Sequence, residues 1–256
     1  MSASPISGLL TAGLDAARFL TRLPVPSLAP DGERAEPHPW TMAMFPVVGL
    51  FLGAAAWTVW WGLRIPFSQP VADILIIGIL ALLSGAIHWD GLMDTADALG
   101  APPERRLEVL RDPHVGSFGL LALVFVAAVQ WAGLTGLHGW IHGSAIILFP
   151  IWGRLSMAAV TWHMADLREG EGLAGVFTRQ VEMSHLLWGG GFTLLISVLL
   201  LGYWTAVVAV GVAAGVYLLR FAYRRFFRGI TGDMIGATCC VVEALVLGLL
   251  GHYPNP

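Results

Sequence analysis

Charge is what this sequence has least of. Aspartate, glutamate, lysine and arginine make up 12% of its 256 residues, about half the share found in ordinary soluble domains. Lysine is missing altogether, so all 14 basic residues are arginine. The formal net charge of −3 leaves no basic excess for a phosphate backbone, and no nucleic-acid partner is expected. Cysteine is nearly absent. Cys239 and Cys240 stand side by side without zinc or redox spacing and read as small packing residues. No internal repeat, low-complexity tract or linker divides the chain, so 1–256 reads as a single domain.

What fills the chain instead is apolar: 56% of it is hydrophobic, with a mean hydropathy of +0.72. Too few polar residues remain to cover a soluble monomer. Charge-free intervals run from Pro37 to Leu63, Pro113 to Gly153 and Met183 to Leu219. Since about 18 apolar residues suffice to cross a bilayer as a helix, the pattern predicts an all-α, polytopic membrane bundle. Spans fall at 43–63, 71–89, 116–137, 141–161, 185–201, 204–220 and 235–251. The stretch 183–219 would make a helix of roughly 55 Å, too long for one crossing, and is divided by a turn at Gly202.

Arginine placement sets the orientation. With seven spans, Arg18, Arg22, Arg34, Arg105, Arg106, Arg111, Arg168, Arg179, Arg220, Arg224, Arg225 and Arg228 share one side. Only Arg64 flanks the other, so the expected topology is N-in, C-out. Residues 1–40 then form an N-terminal segment on the cytoplasmic side, and 90–116 and 162–184 form cytoplasmic loops. Asp15 and Arg18 interrupt any signal-peptide core. Leu9, Leu10, Leu14, Ala17 and Leu20 make a helical stripe suited to lying in the interface.

The acids gather where span two ends, in His88-Trp89-Asp90-Gly91-Leu92-Met93-Asp94-Thr95-Ala96-Asp97. At about 100° per residue, Asp94 and Asp97 lie about 40° and 20° to either side of Asp90, so three carboxylates share one helix face. Like charges so placed call for a cation, and oxygen ligands suit Mg²⁺, Mn²⁺ or Ca²⁺. A solvated helix end is the plainer reading. His88, about 160° from Asp90, is a candidate base or a buried structural histidine. Arg111-Asp112-Pro113-His114-Val115-Gly116-Ser117-Phe118-Gly119 leads into span three, where a helix N-terminus beside an arginine can hold phosphate; a plain Gly/Ser turn fits equally. Arg154 and Glu243 lie inside spans, where ionised groups are costly unless paired or functional. Asp233 opens the last span, as a site carboxylate or a helix cap. Gly49/Gly53 and Gly232/Gly236 have the spacing for close helix packing.

Arg18 through Pro26, Phe45-Pro46-Val47-Val48-Gly49, the His88–Asp97 run, Arg111 through Gly119 and Gly232 through Ala237 together resemble the cobalamin synthase (adenosylcobinamide-GDP ribazoletransferase) family, in the same order, from about residue 10 to residue 250. The Asp-Gly-Leu-x-Asp-Thr-Ala-Asp block is the most specific part; Pro113-His114 departs from the small polar or basic residues expected there. The resemblance implies a Mg²⁺-dependent, multi-pass enzyme of the bacterial inner membrane. It would join the adenosylcobinamide phosphate of adenosylcobinamide-GDP to α-ribazole or α-ribazole 5′-phosphate, release GMP, and have other cobalamin-pathway enzymes as neighbours. On that reading Asp90, Asp94 and Asp97 bind metal, and Asp97, Asp233 or His88 handles the proton. Arg22, Arg111, Asp112, Ser117, Arg154 and Glu243 are candidate substrate contacts. Two other readings remain. A phosphotransferase of the CDP-alcohol type would share the metal chemistry, but Asp94-Thr95 stand where that signature has Ala-Arg. A transporter would also bury Arg154 and Glu243, but no inverted repeat accompanies them.

Overall fold

The computed structural model describes residues 5–26, 36–168 and 173–253. Among these there is no strand ladder, only one isolated parallel bridge between Asp166 and Ile230. The helices are α1 Pro5–Leu20, α2 Phe45–Leu63, α3 Gln69–Leu83, α4 Ile87–Gly100, α5 Arg106–Val109, α6 Ser117–Thr135, α7 Gly139–Thr161, α8 Leu173–Gln180, α9 Met183–Leu201, α10 Trp204–Phe226 and α11 Gly232–Leu250. Among the described residues six segments are long and apolar enough to cross a membrane, and the count is seven if the α3–α4 pair, bent by 91°, is one span. This is a multi-pass membrane protein. Arg34 falls outside the described residues.

Burial is inverted relative to a soluble protein. Phe51, Leu82, Leu121, Phe125, Leu195, Leu199, Val210 and Leu218 point outward, while Asp73, Gln130, His142, Arg154, Thr193, Ser197 and Glu243 are buried. Lipid tails accept the first set, and only the interior can satisfy the second. α7 forms the spine, buried along nearly its whole length, with α2, α11 and α9 packed around it. The α2 contact is backbone to backbone: a Cβ at Gly49 would lie 2.7 Å from the Pro150 carbonyl, and one at Gly53 2.5 Å from that of Ile147. In the second predicted pair only Gly236 is close-packed, against His88; Gly232 faces open space.

Helix ends follow local chemistry. α9 stops at Gly202, where φ is +58°, as the length argument requires. Arg220 donates to the carbonyls of Ala159 and Val160, capping the end of α7. The α3–α4 bend comes from Gly85 and Ala86, consecutive residues with φ of +66° and +59°. The region expected as a loop from 90 to 116 is therefore helical as far as Gly100, and 162–184 contains α8. Bending turns α4 so that its first residues, His88 and Trp89, stay buried while Asp90 is exposed. Its acidic half, from Asp90 on, lies at the N-terminal ends of α6 and α11.

Candidate active site

Two helices bring the acids together. α4 carries Asp90, Asp94 and Asp97, and α11 carries Asp233 in its first turn behind the N-cap Thr231. They can approach because Gly91 has no side chain: a Cβ there would meet the Asp233 carbonyl oxygen at 2.4 Å and its Cα at 2.8 Å. The Asp94 carboxyl is pushed up to about 6, first by partial burial and then by the charges of Asp90, Asp233 and Asp97, with Arg168 opposing. The surroundings of Asp94 are short of positive charge. Among the described residues, no three Asp, Glu, His or Cys side chains close around a metal position as they stand. The donors fit a hard cation by chemistry, as oxygen-only carboxylates in mutual repulsion, and they line a face rather than a shell.

Each predicted residue has a definite place. Both oxygens of Asp97 are engaged: Oδ2 accepts from the Gly116 amide at 2.7 Å and Oδ1 from Gly119 at 2.8 Å. The α6 N-terminus, expected to hold a phosphate, is instead capped by this aspartate. Ser117 and Arg111 are exposed nearby. Asp112 accepts from the His114 amide and ring, at 3.0 and 2.7 Å, and these bonds hold its carboxyl below the usual range. Arg22 lies against Gly85 at the α3–α4 bend, where a Cβ would strike its side chain.

Three predicted site residues lie away from the open face. Arg154, 3% exposed, forms a buried ion pair with Glu243, and Glu243 also receives the amide of Gln130 at 3.5 Å. The pair is the structural arrangement expected of a guanidinium among apolar helices, which the nearest carboxylate stabilises. His88 lines the same small interior cavity, with Gln130, Arg154 and Glu243. It is buried away from the carboxylate face, on the far side of α4, which is the placement expected of a buried structural histidine.

Arg168 is the residue the sequence reading missed as a site group, counting it only toward orientation. Its Nη2 donates to Asp233 Oδ2 at 2.7 Å. The bridge around Asp166 positions it, with Leu167 donating to Ile230 and Ile230 to Ala165. Nothing local in Asp166-Leu167-Arg168 marks this contact, because it spans 65 residues of chain.

Fold and site together define a multi-pass helical membrane enzyme with a carboxylate face at one end of its bundle. A family model described as cobalamin-5-phosphate synthase matches residues 12–251, and the chain belongs to that family. Among its relatives is an adenosylcobinamide-GDP ribazoletransferase of Roseiflexus sp. (strain RS-1). It is 31% identical over 239 residues, covering 92% of this chain and 87% of the relative. Proteins of the same name from Acetivibrio thermocellus and Prosthecochloris aestuarii are each 33% identical, covering 86% and 94% of this chain and 89% and 96% of their own. No solved structure matches.

Proposed function

We propose that this protein transfers the adenosylcobinamide phosphate group of adenosylcobinamide-GDP to a ribose hydroxyl of α-ribazole or α-ribazole 5′-phosphate, releasing GMP. It does so with the acidic, arginine-rich end of the bundle facing the cytoplasm from the inner membrane. The observation that carries the proposal is the meeting of the Asp90–Asp97 block with Asp233 on one open face, in a chain of this family. The hydroxyl oxygen attacks the phosphorus bearing the aminopropanol ester, the bond to the GMP oxygen breaks, and the hydroxyl proton passes to a carboxylate.

Asp90 and Asp233 would hold Mg²⁺, which when bound supplies charge neutralisation of the pyrophosphate and of the departing oxygen. Asp94, on the same face of α4, is assigned the hydroxyl proton. Asp97 is a positioning residue: a proton on it would weaken its bonds to Gly116 and Gly119. Arg168 holds Asp233 in place and offsets one of the negative charges. The test is incubation of the protein in lipid with both substrates, with and without Mg²⁺. Equimolar GMP and joined corrinoid, dependent on the metal, are expected. No turnover by folded protein with either ribazole form would overturn the proposal.

A further inference from the structure

The opposite end of the bundle holds a second constellation that the transfer chemistry does not use. Asp73, on the first turns of α3, is fully buried. Its Oδ1 accepts from Trp60 Nε1 at 2.8 Å and lies 2.9 Å from His142 Nε2, and its Oδ2 accepts from Thr135 at 3.2 Å. His142 sits in the first turn of α7, 2% exposed, with its ring 4.4 Å from that of Trp60. The 23 residues of α7 span about 34 Å, so this cluster is a membrane's width from the bridge and Asp233 at the other end. Ionisable groups inside apolar spans are expensive and call for a partner or a function.

A cavity of about 470 Å³ opens onto His142, walled by Trp57, Trp60, Trp61 and Trp140. That is the size range of small-molecule sites, which pair apolar walls with a few placed polar groups. The wall is built: Trp140 Nε1 donates to the Leu200 carbonyl at 3.2 Å. Gly143 leaves room for Trp57, whose indole nitrogen a Cβ there would meet at 2.7 Å. Trp60 and Thr135 give Asp73 two further donors. With Nε2 of His142 turned to Asp73, its Nδ1 is left without a partner among the described residues.

We propose that this cavity binds a neutral, planar heteroaromatic molecule, its ring against the tryptophans and its N–H or O–H donated to His142 Nδ1. Indole faces favour flat rings over alkyl chains, and a lone acceptor in an apolar wall selects for a donor. The site stands independently of the transferase reading.

The test uses the full chain in lipid nanodiscs, with benzimidazole as probe and 1-methylbenzimidazole and naphthalene as comparators, each corrected for uptake by empty discs. Benzimidazole should bind saturably. Its methylated form, which lacks the N–H, should bind about tenfold more weakly, and naphthalene should show only partition. Trp140→Ala removes one wall and its bond to Leu200, and should weaken benzimidazole at least threefold in protein that an unfolding curve shows to be folded. His142→Gln should abolish the preference for the N–H form. Uptake equal to that of empty discs, equal affinity for both benzimidazoles, or unchanged affinity in folded Trp140→Ala would each overturn the proposal.

Discussion

Replacing Gly91 with alanine tests the geometry of the site without touching any of its functional side chains. The new Cβ would lie 2.4 Å from the carbonyl oxygen of Asp233 and 2.8 Å from its Cα, both backbone atoms that no rotamer change can clear. To restore ordinary van der Waals contact, α4 and α11 must separate by about 1 Å. Overpacking of this kind costs about 1–3 kcal/mol, which a membrane bundle held at Gly49, Gly53 and Gly133 by similar contacts should survive. The displacement acts directly on the residue that faces Asp90 and Asp94. Since a misplacement of about 1 Å can cost about 100-fold in rate, Gly91→Ala should lose about two orders of magnitude in kcat. Gly78→Ala is the control: nothing lies within 4 Å of its Cβ, and it should leave rate and stability nearly unchanged. Turnover and thermal unfolding of both variants in the same lipid decide the matter. Full activity in Gly91→Ala would refute the claim that the close approach of α4 to α11 assembles the site.

Removing the Arg168 guanidinium as Arg168→Ala should cut turnover at least tenfold by releasing Asp233, and should leave the melting temperature within a few degrees, since the pair is partly open to solvent. Breaking the buried pair is different: Arg154→Met or Glu243→Leu alone should destabilise by about 3–5 kcal/mol, and the double substitution should recover most of that loss in a double-mutant unfolding cycle. The Asp94 carboxyl, raised from 3.8 to about 6, should make the metal-free protein more stable as pH falls. Above the folded value the charge repels its neighbours, and the penalty fades between about pH 6 and pH 4. A shift of two units corresponds to about 2.7 kcal/mol, reduced to about 1 kcal/mol by solvent screening at this half-open position. Melting curves of Asp94→Asn should lack that part of the pH dependence.

The membrane fold was legible because a long apolar interval has few physical solutions. Six of the seven expected spans have a helix each, 71–89 is divided between α3 and α4, and the turn at Gly202 was forced by length alone. The bend at Gly85-Ala86 was not legible, since an Ala-Ile-His sequence continues a helix as readily as it breaks one. The shared face of Asp90 and Asp94 came from helical period, and their meeting with Asp233 followed only once α11 packed at Gly91. Periodicity placed Asp97 on the same face but could not show that its oxygens cap α6. Arg154 and Glu243 were recognised as anomalous, yet ten residues of separation from Asp233 said nothing of their being each other's partner. Asp73 is the plainest oversight: an acid inside a predicted span is as anomalous as Glu243, and it went unremarked beside the louder run that follows.

The most direct measurement is single-turnover formation of GMP by Asp94→Asn in lipid, with adenosylcobinamide-GDP, α-ribazole 5′-phosphate and saturating Mg²⁺, after unfolding curves confirm the fold. Losing the carboxylate assigned to the hydroxyl proton should slow the chemical step by about 100-fold or more while the protein stays folded. A rate equal to that of the unsubstituted protein would contradict the assignment of the reaction to the carboxylate face shared by α4 and α11.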